Sequence, residues 1–176
     1  MKMNTFLTLT GLTALMVAAS ATLAADNMIL TGTLRAHACS LHPDDNTINV
    51  VFGELGTRDL YLNGGTREQP FSIRLLDCNP AVANEVQITF DGQRNPFIPG
   101  SLALKSGSAA SGVAIIISDA NKHQLNPGTA LTLPVSAGNN TLLFHRRLQV
   151  EPDALNNEGI ISGNFSANAT FTLFYP

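Results

Sequence analysis

His37, Cys39 and His42 crowd a short stretch with imidazoles and a thiol, the donor types that hold zinc. A zinc site would need Cys39 as a thiolate and a fourth ligand besides. The other cysteine, Cys78, offers that sulfur a different fate, and which one prevails depends on the compartment. Carboxylates are the next candidates. Asp44-Asp45, Asp153 and Glu158 fall in turn-like sequence, where they serve solubility and turn geometry before they serve as an acid and base pair. Asp119, His123 and His145 are the residues an exported enzyme would have to use. No Gly-x-Ser-x-Gly elbow, phosphate-cradling glycine loop or His-Glu-x-x-His pair accompanies them. The expectation is a protein without catalytic residues, metal or small-molecule cofactor.

The N-terminus fixes the compartment. Lys2 precedes an apolar, uncharged run from Phe6 to Ala19, and Ala-Thr-Leu-Ala-Ala then supplies small residues for cleavage. This is the pattern of a secretory signal peptide over residues 1–24, cut after Ala24, with Ala21 or Ala25 as alternatives. Thr8, Thr10, Gly11 and Thr13 dilute the run, which is short for a hydrocarbon core of ~30 Å. Export to an oxidising space favours a Cys39–Cys78 disulfide over a thiolate ligand. It would close a loop of about 40 residues and restrict the unfolded chain by roughly 4 kcal/mol.

Removing residues 1–24 from 176 leaves 152, the size of one domain with a real core. Nine basic residues then face thirteen acidic ones without a basic cluster, which excludes nucleic acid as a partner.

The elements that must position these residues are strands. Nothing after the signal has the periodicity of a helix of useful length. Short apolar-polar alternations separated by Gly, Pro and Asn recur instead, as in an all-β sandwich or barrel. Met28, Leu30, Gly32, Leu34 and Ala36 share one parity of a first strand, broken at Gly32 where another backbone could approach. Thr47–Phe52 reads as a second strand, and Phe71, Ile73 and Leu75 alternate up to Cys78. Val86, Ile88 and Phe90 stop at Asp91-Gly92, a turn signal. Val113–Ile117 is β-branched and suited to burial on both faces. Thr141–Val150 sets Leu142, Phe144, Leu148 and Val150 on one side; Arg146 interrupts that side, and a bulge at Arg146-Arg147 is the preferred explanation over a place at the sandwich rim. Residues 152–157 read as loop. The longest alternation is the last: Phe165, Ala167, Ala169, Phe171, Leu173 and Tyr175 against Ser166, Asn168, Thr170, Thr172 and Phe174, a strand with one buried face.

These residues resemble the pilin subunits of bacterial chaperone–usher fimbriae, the type 1 pilus family. The likeness rests on Gly163-x-Phe165-x-Ala167-x-Ala169-Thr170-Phe171 with the penultimate Tyr175, and on Pro70-Phe71-Ser72-Ile73-Arg74-Leu75 before Cys78. Gly32 before Cys39, Gly112-Val113-Ala114-Ile115 and Asn140-Thr141-Leu142-x-Phe144 extend it over the mature chain. The resemblance implies an immunoglobulin-like β-sandwich, incomplete for want of its last strand and completed by a donor strand from a partner. Residues 25–38 would then be the donor extension, with Met28, Leu30, Gly32 and Leu34 as its inward row, and residues 39–176 the pilin domain. Phe165, Ala167, Ala169, Phe171, Leu173, Tyr175 and Pro176 would form the acceptor groove and chaperone-binding wall. Implied partners are a periplasmic pilus chaperone, the outer-membrane usher and other pilin subunits, with the product a cell-surface fimbrium used in adhesion. Phe174 and Arg146 depart from the residues usual at their positions. Because 152 residues leave no room for a separate receptor domain, a shaft, adaptor or minor-pilin role is expected rather than a tip adhesin. The alternative is an exported immunoglobulin-like module that recognises a sugar or host protein through loops such as 94–112.

Overall fold

The computed structural model describes residues 38–176. The signal segment, His37 and the donor-like Met28, Leu30, Gly32 and Leu34 lie outside the described residues. Seven strands follow among the described residues: β1 (Ser40–Leu41), β2 (Gln69–Cys78), β3 (Glu85–Gly92), β4 (Val113–Ser118), β5 (Ala130–Pro134), β6 (Gly138–Val150) and β7 (Ala169–Phe174). They make two antiparallel sheets, one ordered β1-β2-β6-β4 and the other β5-β3-β7.

Alternation explains the sandwich. Ile73 and Leu75 of β2, Val86, Ile88 and Phe90 of β3, and Leu142, Phe144, Leu148 and Val150 of β6 are all buried, while the residues between them are more exposed. An aromatic cluster binds the two sheets: the Phe90 ring lies 5.0 Å from Phe144 and 6.1 Å from Phe71, edge-on to both, a favoured geometry for such pairs. All six residues of β4 are buried, as its β-branched run predicts.

The Cys39–Cys78 disulfide forms, joining positions 39 apart in sequence, and consumes the sulfur a zinc site would have used. It ties the start of β1 to the end of β2 beside the Ser40↔Leu76 and Leu41↔Leu75 pairs. Next to it a 3-10 turn, Pro43–Asn46, delivers Asp45 onto β2. The Asp45 carboxylate accepts the Arg74 backbone N–H and the Arg74 guanidinium, each at 2.6 Å at the closest.

Four expectations change. Thr47–Phe52 is irregular rather than a strand, because among the described residues no neighbouring ladder takes its backbone. Residues 57–63 form a short helix, α1 (Thr57–Asn63), which buries Leu60 and ends at Gly64 in the left-handed conformation. Pro152–Asn156 is helical as well (α2), starting on proline. Both helices are too short to establish a 3.6-residue period in the sequence. The bulge at Arg146 is absent: β6 keeps register with β2 from Gln69↔Arg146 to Leu75↔Asn140 and with β4 from Val113↔Val150 to Ser118↔His145. Arg146 therefore stays on the inward parity.

Gly65 shows why one turn must be glycine. It bridges to Gln149 at β6, and a Cβ there would strike the Leu148 carbonyl oxygen, a backbone atom that cannot move aside.

Candidate strand-accepting groove

β7 is the last strand of the three-stranded sheet and, among the described residues, pairs only with β3, from Gly92↔Ala169 to Gln87↔Phe174. The ladder is shorter than the alternation that announces it. Before it, residues 161–166 run against 105–111 through scattered bonds, among them Lys105 N–H to Ser166 O at 2.7 Å and Ala109 N–H to Asn164 O at 2.8 Å.

The inward row is placed on the expected side. Phe165, Ala167, Phe171, Leu173 and Tyr175 pack against the buried core, and Ser166, Asn168, Thr170, Thr172 and Phe174 are exposed. Phe171 stands opposite Phe90 with ring centroids 6.4 Å apart, and Leu173 opposite Ile88. Ala169, of the same parity, is exposed where the ladder begins against Gly92, and Pro176 is exposed too.

The degree of burial corrects the expectation of a buried face. Not one residue of the inward row is buried; each is half-buried or exposed, whereas their opposite numbers Ile88 and Phe90 are covered. The Tyr175 hydroxyl is enclosed and has no hydrogen-bond partner among the described residues. That enclosure raises its pKa above 10.0, since the phenolate would lose hydration.

The end of the row at Phe165 holds residues that sequence reasoning did not connect. Phe52 packs on Phe165 with centroids 5.9 Å apart, and Arg146 crosses from β6 to lie 5.4 Å from the centre of the Phe52 ring. The guanidinium donates to Pro70 O at 2.8 Å, Gln69 Oε1 at 2.9 Å and Val51 O at 3.0 Å. The only signal in the sequence was the anomaly itself, a cation in an apolar row.

The carboxylates and histidines have structural positions. Burial alone would raise the Asp119 pKa, but N–H groups of His123 and Asn121 and the His123 ring hold it below 3.8. Asp119 thus organises the turn after β4. His42 Nδ1 caps the 3-10 turn by accepting the Asp44 N–H.

Two antiparallel sheets enclosing one core, with a half-covered terminal strand at a sheet margin, define an immunoglobulin-like sandwich of the kind seen in pilus subunits. The P pilus rod subunit PapA superposes with a TM-score of 0.68 over 80% of this chain and all of that one, at 20% identity. The family model for fimbrial protein matches residues 28–176, and the chain belongs to that family. It is 33% identical to the major MR/P fimbria protein of Proteus mirabilis (strain HI4320) over 99% of both chains. It is 31% identical to the fimbrial adapter PapK of Escherichia coli, covering 86% of this chain and 88% of that one. The protein is a structural fimbrial subunit, exported and assembled into surface fimbriae.

Proposed function

We propose that the inward row from Phe165 to Tyr175 is one wall of a groove filled by a strand from another polypeptide, and that residues 25–38 are the strand this subunit gives in turn. A periplasmic chaperone fills the groove first; the extension of another pilin subunit replaces it at the outer-membrane usher. The supporting observation is the half-burial of Phe171, Leu173 and Tyr175 beside the buried inward row of β3, Val86, Ile88 and Phe90. An unpaired strand margin over apolar side chains invites association, and a strand added in trans satisfies the backbone and covers the side chains together. Each of Met28, Leu30 and Leu34 would contribute ~1.5–3 kcal/mol by burial before its ordering cost. On this reading the chain works by completing and being completed, and it turns over no substrate.

Charge on the groove face separates this reading from its rivals. Phe171→Asp or Leu173→Asp abolishes chaperone capture and fibre assembly, whereas Thr170→Asp, on the exposed face, leaves most of both. Pull-down of the three variants with the chaperone, followed by electron microscopy of cells carrying the usher, measures the difference. Equal capture of all three overturns the assignment.

A further inference from the structure

The inward row of β6 reads Leu142, Phe144, Arg146, Leu148, Val150, and its four apolar members are at most 5% exposed. A cation in that row gives up hydration, and burial lowers the Arg146 pKa accordingly. Its acceptors among the described residues are two backbone carbonyls and one side-chain amide, and none of them is a carboxylate. The guanidinium is suited to this task because its planar fork reaches several acceptors at once. Two of the three acceptors belong to β2, the neighbouring strand. The third, Val51 O, belongs to the irregular segment that carries Phe52. Bonding the Val51 carbonyl and facing the Phe52 ring, Arg146 fixes that ring against Phe165.

We propose that Arg146 is a positioning residue that holds Phe52 across the Phe165 end of the groove and so limits the size of the side chain an incoming strand can place there. The inference rests on the strand-accepting reading. Antiparallel pairing is the more stable arrangement per residue, and it sets the later part of the donor row beside the earlier part of the acceptor row. Leu34 then meets the Phe165 end, with only the small Ala36 and Ala38 beyond it in the same parity. Leu30 lies nearer the middle, away from Phe52.

A size exchange tests this. Peptides of residues 25–38 are added to the chaperone-bound subunit, and chaperone release is followed by size exclusion. A Leu34→Trp peptide enters the unaltered subunit ~10-fold or more slowly than the natural peptide, as overpacking requires. Phe52→Ala and Arg146→Met each bring that peptide back to within about threefold of the natural one, well inside the overpacking penalty. A Leu30→Trp peptide stays slow with both variants. Arg146→Lys, a point charge without the fork, falls between wild type and Arg146→Met, and Phe52→Leu, which leaves Arg146 in place, falls between wild type and Phe52→Ala. Relief of both bulky peptides alike, or of neither, overturns the positioning role while leaving the groove intact. Failure of every peptide, the natural one included, to displace the chaperone overturns the groove reading and this inference with it.

Discussion

Asp45 is the residue whose protonation the fold feels most directly. The Arg74 side chain donates to it, its backbone N–H adds a further bond, and these hold the carboxyl below its ordinary 3.8 despite the opposing effect of burial. A folded-state pKa below the unfolded one means the bonds stabilise fully above pH 3.8 and are lost as pH falls through the depressed value. Asp119 is shifted the same way and reinforces the trend. Asp45→Asn keeps the shape but loses the charge-assisted bonds, at a cost of about 1–3 kcal/mol near neutral pH. Urea midpoints of the chaperone-bound subunit should therefore separate wild type from Asp45→Asn at pH 7 and converge as the pH drops below 3.8. An unchanged gap at low pH would mean that the substitution acts through packing. The sequence offered Asp44-Asp45 only as a turn pair; the partner, Arg74, lies 29 residues on, and nothing local connects them.

At the scale of elements, the disulfide is the strongest local constraint. Replacing Cys39 and Cys78 by Ser frees a loop of about 40 residues and should cost roughly 4 kcal/mol, read as a lower urea midpoint and a smaller periplasmic yield of chaperone-bound subunit. Gly65→Ala, by contrast, acts through contact: its Cβ meets backbone at Leu148, which should part the α1 exit from β6 and expose the 64–66 turn to proteolysis. The elements that sequence predicted are those whose partners impose a strict period. β2, β3 and β6 each carry a row that must face a core, so period two survives in their composition, whereas β4, buried on both faces, is legible from its β-branched run. β5 was missed because its row has only Leu131 and Leu133, and Pro134 ends it. Thr47–Phe52 misled for the opposite reason: it has strand-like residues but is held by the Arg146 side chain in place of a ladder. The inward row from Phe165 to Tyr175 was readable residue by residue, but its half-burial was not, because alternation reports which way a side chain points and says nothing about how much lies over it.

For the whole molecule, the two ends of the chain should be separable in function. If residues 165–175 receive and residues 25–38 give, removing residues 26–36 destroys giving while sparing receipt from a chaperone. The truncated subunit should be captured by the chaperone at near wild-type yield, since the wall of the groove is untouched. It should enter a fibre only as a member that no longer fills a neighbour's groove, so co-expression with the full chain shortens fibres in proportion to the truncated share. Phe171→Asp gives the opposite pattern, an intact donor on a chain the chaperone does not hold. Mixing the two variants therefore cannot restore fibres: the truncated chain can receive but give nothing, and the other is lost before it can give. Fibre length by electron microscopy, with chaperone capture measured on the same cells, reads both halves of the argument. A truncated chain that polymerises as well as the full one would place the donor elsewhere. One that folds as a stable monomer without chaperone would mean the sandwich is already complete in itself.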